Sequence, residues 1–395
     1  MLLKECKIYV VATPKPYFGG KNWFFIKLVT DDGIEGWGEA YSQKIFYPLK
    51  ESFKKLSAEI FEHCLKGRDP MQRSYLMRQA YNELSANRPG LMAGSLLSAF
   101  DLALWDIAGK SMNVPVYQMI GGKFRDRIRA YSYLCRPEPD HPDNQPTRHA
   151  MWGNPDIIRE RSLEMVEEGF TAIKFDPLRY LVVKGIEPPI PYSLTLDDLK
   201  LVDDCMAAIR DAVGDRCDIL LGTHGQMTTA SAITLAKLIE PYRPLWFEEP
   251  VPPENVKEMA KVRKSTSIPI ASGERLSTAF EFQRLLEEDA VSVVQPDPGS
   301  CGGITECVKI MNLCQVHYAE IAPHVSSGPI VTAAALQIAA AAPNFLMQEN
   351  VYKSEHFTSR LLTHSMGWDN GYFKPLERPG LGIEVDEKEV LRHCV

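Results

Sequence analysis

The sequence predicts an α/β protein: a parallel (β/α) barrel of the TIM type, preceded by an α+β capping domain that the C-terminal tail completes. Three observations carry this expectation. From Arg129 onward, short apolar runs alternate with amphipathic helical stretches, the pattern of βα units. Eight such runs can be counted, which is the barrel number. Polar residues follow them in register, recurring from Glu248 to Glu349 at intervals of about 25 residues, the length of one strand, loop and helix.

The N-terminal unit, residues 1–128, has a different pattern. Strand-like segments at Lys7 to Ala12 and Trp23 to Val29, with a turn at Asp31-Asp32-Gly33, predict a hairpin or meander. Helical patterns follow over Leu49 to Leu65, Pro70 to Glu83 and Leu91 to Gly109, the last with apolar residues at Leu97, Phe100, Leu104 and Ile107. The barrel is assigned to residues 129–365. Its predicted strands are Arg129 to Tyr133, Thr171 to Phe175, Ile219 to Leu221, Leu245 to Phe247, Ile268 to Ser272, Ser292 to Gln295, Glu320 to Ala322 and Phe345 to Gln348. An open doubly wound sheet could hold the same elements, but it normally carries a glycine-rich nucleotide loop after its first strand, and Tyr131 to Pro137 has none. Long proline-bearing loops follow the first two strands, Cys135 to Pro155 and Asp176 to Ser193, as loops serving a site often do. The tail, residues 366–395 with Pro379-Gly380-Leu381-Gly382, no longer fits a βα unit and is expected to return to the capping domain.

Composition narrows the function classes. A chain of 395 residues exceeds the size of a single growing core, and 45% hydrophobic with 24% charged residues is ordinary for a folded protein. With a formal net charge of -7 and no zinc-finger spacing, it lacks the basic surface that nucleic acid binding demands. No run approaches the roughly eighteen apolar residues of a membrane helix, and the charges Lys4, Glu5 and Lys7 do not suit a signal peptide. Nine cysteines, an odd count without a CxxC pair, suit reduced thiols and a cytoplasmic location.

Catalytic groups in such a barrel stand where strands end. Those positions hold Lys174-Phe175-Asp176, Gly222-Thr223-His224, Glu248-Glu249, Gly273-Glu274, Asp297, His324 and Glu349. Glu248 and Glu274 on neighbouring strands would repel one another without a cation, and their oxygens suit a hard ion such as Mg²⁺. Asp297 beside His324 predicts a hydrogen-bonded dyad in which the carboxylate fixes the tautomer and His324 is the general base. Gly299, Gly302 and Gly303 precede a helix but lack the Walker spacing, so a tight βα turn is expected there.

The chain resembles, over essentially its whole length, the enolase superfamily, in particular its mandelate racemase-like acid sugar dehydratases. The resemblance rests on Gly36-Trp37-Gly38-Glu39 after Asp31-Asp32-Gly33, on Ala99-Phe100-Asp101-Leu102-Ala103-Leu104-Trp105-Asp106, on Gly121-Gly122-Lys123, on Phe247-Glu248-Glu249-Pro250, on Gly302-Gly303-Ile304-Thr305 and on the order of the strand-end residues. It implies Mg²⁺ bound to Glu248 and Glu274 and stabilising the enediolate left when the alpha proton departs. It further implies His324 with Asp297 as base or acid, Glu349 as a hydrogen-bonding partner of the substrate carboxylate, and Lys174 neutralising substrate charge. An acid sugar as small-molecule partner and a homo-oligomeric state are implied too. Substrate choice would lie with the Pro14 to Lys21 loop, including Tyr17 and Phe18, and with the two long barrel loops.

One position departs from the family pattern. Most relatives end the third strand with an aspartate metal ligand, where this chain has Gly222. Asp176, on the neighbouring second strand, is expected to supply the displaced carboxylate, and His224 to be a second acid/base group or to touch the metal. Without a lysine at position 176, simple two-base racemisation is disfavoured. The expected reaction is elimination of water from an acid sugar to a 2-keto-3-deoxy acid. The alternatives are a cycloisomerase or epimerase using the same enolate, and a non-catalytic binder with a degraded metal site.

Overall fold

The computed structural model describes residues 1–395 apart from positions 16, 18, 43–47, 86–89, 135–152, 184–189 and 351–353. The chain opens with an antiparallel meander of β1 (Leu3–Ala12), β2 (Asn22–Thr30) and β3 (Glu35–Ala40). Asp31 and Gly33 turn the chain between β2 and β3, with Gly33 N donating to Thr30 O at 3.1 Å. The helices Lys50–Ile60, Arg73–Ser85 and Gly90–Met112 complete this unit. The first ends in a π turn over Phe61–Leu65 instead of running on as the periodicity suggested. Gly38 lets the sheet and the long helix meet: a Cβ there would stand 1.7 Å from the carbonyl oxygen of Ala99.

Helix Gly90–Met112 corrects the sequence reading on one point, being long and apolar enough to span a membrane by length and composition. Its apolar window is 83% buried inside the protein, against β3 and the helices around it. It is the core helix of the capping unit, apolar on nearly all sides because nearly all sides are covered.

Eight parallel strands follow: β4 (Ile128–Tyr133), β5 (Ala172–Phe175), β6 (Asp218–Gly222), β7 (Trp246–Glu248), β8 (Ile270–Ser272), β9 (Val293–Val294), β10 (Glu320–Ile321) and β11 (Gln348–Glu349). Each of the eight predicted runs contains or overlaps one of them. Pairing runs in order from β4 to β10, and β11 returns to β4 through Gln348 opposite Ala130. The remaining seam is joined just before β11, where Ile321 N donates to Asn344 O and Leu346 N to Ile321 O, both at 2.9 Å. Inside, one buried residue from each strand or its edge forms a layer: Tyr131, Ala172, Leu220, Trp246, Ala271, Val293, Ala322 and Met347. Tyr131 and Trp246 meet edge to face at 5.3 Å, and three alanines leave them room. This layer is the floor beneath the strand ends.

The tail divides its contacts. A short hairpin, β12 (Trp368–Asp369) and β13 (Tyr372–Phe373), pairs antiparallel with the start of β4, so its first part lies on the barrel. Beyond it, Gly380 N donates to Val114 O at 3.0 Å, and Cys394 bridges Val11 of β1. Helix Glu387–Arg392 places Glu387 Oε2 2.7 Å from the buried ammonium of Lys27 on β2.

Candidate active site

The strand ends converge as their spacing predicted. His324 follows β10, and its Nδ1 is 2.7 Å from Oδ2 of Asp297, whose Oδ1 accepts the amide N–H of Gly299 at 2.6 Å. Asp297 therefore orients the ring and leaves Nε2 facing the barrel mouth, 3.3 Å from Glu274 Oε2 and 3.7 Å from Glu349 Oε2. Burial alone would lower the His324 pKa. Glu349, Glu274 and Asp297 outweigh it and hold the imidazole up at about 10. Glu274 is the converse, pulled down to about 2 by His324, His224, Lys174 and Arg275 although burial opposes its ionisation.

Lys174, at the end of β5, is fully buried. Its ammonium lies 2.5 Å from Glu248 Oε1 and 3.6 Å from Glu349 Oε1, above the rings of Tyr131 and Tyr133 at 5.8 and 4.8 Å. Burial works against that charge, but the two carboxylates keep its pKa well above the ordinary lysine range. Glu248 is held on its other oxygen by Gln295 Nε2 at 2.7 Å and Trp246 Nε1 at 3.2 Å.

A second His–Asp pair stands two strands away from Glu274. His224, at φ 53° just after β6, points Nδ1 at Asp176 Oδ2, 3.3 Å off, while its Nε2 is 3.2 Å from the Tyr133 hydroxyl. Burial lowers its pKa, and Asp176 and Glu274 more than restore it, leaving it raised. Asp176 accepts the Leu178 amide on Oδ1 at 3.0 Å, and its buried Oδ2 has no hydrogen-bond partner, the approach to His224 being an ion-pair distance without hydrogen-bond alignment. The geometry thus gathers Lys174, Asp176, His224, Glu248, Glu274, Asp297, His324 and Glu349 into one cluster. Tyr17 is not among them; it is 38% exposed, with the Lys21 ammonium 5.7 Å from its ring. Its loop does come near: a Cβ at Gly19 would meet Ser327 Cα at 3.1 Å, three residues past His324. Phe18, residues 135–152 of the first long barrel loop and residues 184–189 of the second lie outside the described residues.

Several residues escaped the sequence reading. Tyr133 ends β4, where the sequence offers no carboxylate, histidine or lysine to mark a site. Gln295 shares its strand end with Asp297 two residues on, and a period-of-two count would have put both on one side. Arg275 sits 3.5 Å from Glu274 Oε1 and 3.4 Å from Oε2 of Glu249, a buried carboxyl pushed up to about 8 by burial and by Glu274. Tyr41 comes from the capping domain, its ring edge-on to His324 at 5.9 Å and its amide bonded to Gly299 O at 2.8 Å. No local sequence signal marks Tyr41, because its role depends on docking between distant segments.

With this geometry in place, comparison with known proteins decides the family. Residues 18–121 match the model of the mandelate racemase / muconate lactonizing enzyme N-terminal domain, and residues 158–389 match that of the enolase C-terminal domain-like family. The chain belongs to the enolase superfamily, in its mandelate racemase/muconate lactonizing enzyme branch. It is similar to D-galactonate dehydratase from Variovorax paradoxus (strain S110), 33% identical over 382 residues that cover 94% of this chain and 90% of that protein. Among solved structures, a mandelate racemase/muconate lactonizing enzyme-like protein from Roseovarius sp. TM1035 aligns with a TM-score of 0.90 at 39% identity, covering 100% of this chain and 96% of that one. A protein from Salmonella enterica serovar Typhimurium, provisionally described as a dehydratase, aligns with a TM-score of 0.88 at 32% identity, covering 100% and 98%. The chain is thus an enolase-superfamily enzyme with an N-terminal capping domain on a (β/α) barrel.

The donors at the barrel mouth suit the divalent cation typical of this superfamily. Six carboxylates, Asp176, Glu248, Glu249, Glu274, Asp297 and Glu349, face two permanent cations, Lys174 and Arg275, and two histidines. Glu274 is strongly ionised, Asp176 has an unbonded buried oxygen, and Glu248 Oε1 keeps a lone pair beyond the one Lys174 uses. Among the described residues, no three His, Cys, Asp or Glu side chains are already drawn together as a metal cage.

Proposed function

We propose that this enzyme is a Mg²⁺-dependent acid sugar dehydratase that converts a 2,3-dihydroxy acid to a 2-keto-3-deoxy acid. The observation that carries the reading is the pair of histidine–carboxylate couples, His324 with Asp297 and His224 with Asp176, rising from different strands into one mouth. Elimination needs one group to take a proton and another to give one. Relatives and neighbours named as dehydratases support the same chemistry.

Glu248, Glu274 and Asp176 would hold the cation, with Asp176 taking the part that Gly222 cannot. When bound, the ion supplies positive charge against the substrate carboxylate. Lys174 and Glu349 orient that carboxylate from the floor of the mouth, Lys174 by charge and Glu349 by hydrogen bonding. With Glu274 on a cation, much of the pull that keeps His324 charged is cancelled, so that neutral His324 takes the alpha proton on Nε2 and Asp297 stabilises the resulting imidazolium through Nδ1. The electron pair of the broken C–H bond is held first in the carboxylate as an enediolate, and then forms the Cα–Cβ double bond as the β-hydroxyl leaves. His224, charged beside Asp176, gives its Nε2 proton to that hydroxyl and becomes neutral, water departs, and the enol becomes the 2-keto acid. Tyr41 and the loop bearing Tyr17 and Phe18 lie on the capping-domain side, where they would sort substrates.

The test is a screen of acid sugars with Mg²⁺, read as 2-keto-3-deoxy product, together with solvent deuterium exchange at the alpha carbon. Exchange without a keto-deoxy product would favour a cycloisomerase or epimerase, and neither signal with any acid sugar would refute the enzymatic reading. Calorimetric titration of Mg²⁺ separates the metal assignment, since Asp176→Asn is expected to weaken binding at least tenfold. Unchanged affinity would remove Asp176 from the ligands.

A further inference from the structure

The space beside Gly222 is filled. Gly222 ends β6 opposite Glu248 in the ladder, and a Cβ built on it would stand 2.4 Å from Lys174 Cε and 2.9 Å from the Tyr133 hydroxyl oxygen. Both are closer than a real Cβ tolerates. Tyr133 reaches this point from the end of β4, directly across the ladder from Lys174. Its ring stacks on His224 at 6.4 Å with an 11° tilt, its hydroxyl meets His224 Nε2 at 3.2 Å, and the Lys174 ammonium lies 4.8 Å above the same ring. The backbone under His224 is fixed separately. Thr223 N and Oγ1 donate to Glu248 O at 3.1 and 2.8 Å, and Gly225 N donates to Glu249 O at 2.8 Å. Two rotations about side-chain bonds are left to the imidazole, and its two nitrogens meet Tyr133 and Asp176.

We infer that Tyr133 is a positioning residue that sets the ring plane and tautomer of His224, and that Gly222 serves to admit Tyr133 and Lys174 where relatives place a metal-binding aspartate. This rests on the proposed role of His224 in delivering a proton to the leaving hydroxyl. The phenol stays protonated, its pKa lying well above the ordinary tyrosine value through burial and the nearby Glu248 and Glu349 against the opposing Lys174. While the ring is charged the phenol oxygen accepts from Nε2–H, and once His224 has given up that proton the phenol donates to Nε2 of the neutral ring, which keeps the remaining proton on Nδ1, toward Asp176. The glycine also means that restoring the usual aspartate cannot restore the usual site, because the side chain would have to expel Lys174 from Glu248.

Tyr133→Phe keeps the stacked ring and removes only the hydroxyl. The ratio of elimination to alpha-proton exchange is expected to fall about tenfold or more, as for loss of an orienting partner, with KM within about threefold. A loss of fold would lower both rates together and leave the ratio unchanged. Imidazole ¹⁵N shifts of His224, identified by their absence in His224→Gln and recorded at alkaline pH, are expected to show the Nδ1–H tautomer in the native enzyme and a mixture in Tyr133→Phe. Identical His224 spectra overturn the inference whatever the turnover, as does an unchanged ratio. Gly222→Asp is expected to raise KM and lose activity without gaining Mg²⁺ affinity, and a more active or tighter-binding Gly222→Asp enzyme would also overturn it. Absence of both product and exchange in the native enzyme refutes the dehydratase reading instead, and the spectra then still decide the positioning of His224.

Discussion

Replacing Glu39 by alanine should loosen the capping domain from the barrel, at a cost that follows from three hydrogen bonds. Glu39 lies on β3 and is wholly buried. Its carboxylate accepts the amides of Gly328 at 2.5 Å, Ile330 at 3.1 Å and Val331 at 3.0 Å, which open helix Pro329–Ala341. A helix normally caps these groups with a side chain at the residue before its first turn. Gly328 has none, and Pro329 lacks an N–H, so the three remaining donors turn to a carboxylate from the other domain. Each buried N–H left without an acceptor costs about 1–3 kcal/mol. Water entering the space of the lost carboxylate would recover part of that, leaving about 3–5 kcal/mol in total. Glu39→Gln, which keeps one acceptor oxygen, should cost less than half as much. Urea unfolding followed by tryptophan fluorescence measures both, with hydrogen exchange of residues 325–335 reporting the local opening. The helix begins five residues past His324, so the alanine variant should lose alpha-proton exchange as well. A midpoint shift worth under about 0.5 kcal/mol at unchanged slope would refute the reasoning.

Two further variants probe the base and the tail. Asp297→Asn removes the charge that orients His324 and supports its imidazolium, so alpha-proton exchange should fall about 10²–10⁴-fold while calorimetric Mg²⁺ affinity stays near native. A fall of less than threefold would show that the ring is held by something else. Glu387 ties the tail to the buried Lys27, and although burial would raise its pKa, the hydrogen bonds from Lys27 and Tyr9 hold it below the ordinary glutamate value. A depressed carboxyl stabilises the fold at pH above its unfolded value and loses that contribution as pH falls through the folded one. Thermal melts should therefore show Glu387→Gln several degrees less stable at pH 7, with the gap narrowing below about pH 4.5. An equal gap at both pH values would contradict the assignment.

What was legible in the sequence was what repeats. Strand periodicity and the interval between strand ends located all eight barrel strands, because each βα unit meets the same steric demands. The same interval brought Glu248, Glu274, Asp297, His324 and Glu349 together, since residues at equal places in successive units become neighbours around a ring. Contacts between segments far apart in the chain were not legible. Tyr41 reaches His324 only because β3 docks on the turn at Gly299, and Glu39 caps a helix nearly three hundred residues away. The tail hairpin on β4 likewise has no local pattern longer than two residues a strand.

Several motifs that signalled the family turn out to fasten its two domains instead of carrying chemistry. Asp101 accepts the amide of Thr305 at 2.9 Å, Trp105 Nε1 donates to the Thr305 hydroxyl at 2.9 Å, and a Cβ at Gly303 would strike the Asp101 carboxylate at 2.3 Å. Asp106 likewise accepts the amides of Trp37 at 3.0 Å and Leu381 at 2.9 Å, joining helix, meander and tail. These are buried polar bonds that must all be satisfied at once, so they fix how the capping domain sits on the barrel. A strand-end site is open on one side, and its chemistry requires water to be excluded there. The fasteners hold β3, and with it Glu39 and Tyr41, against the barrel beside His324. The residues that looked least catalytic in the sequence therefore decide how closely the second domain closes over His324.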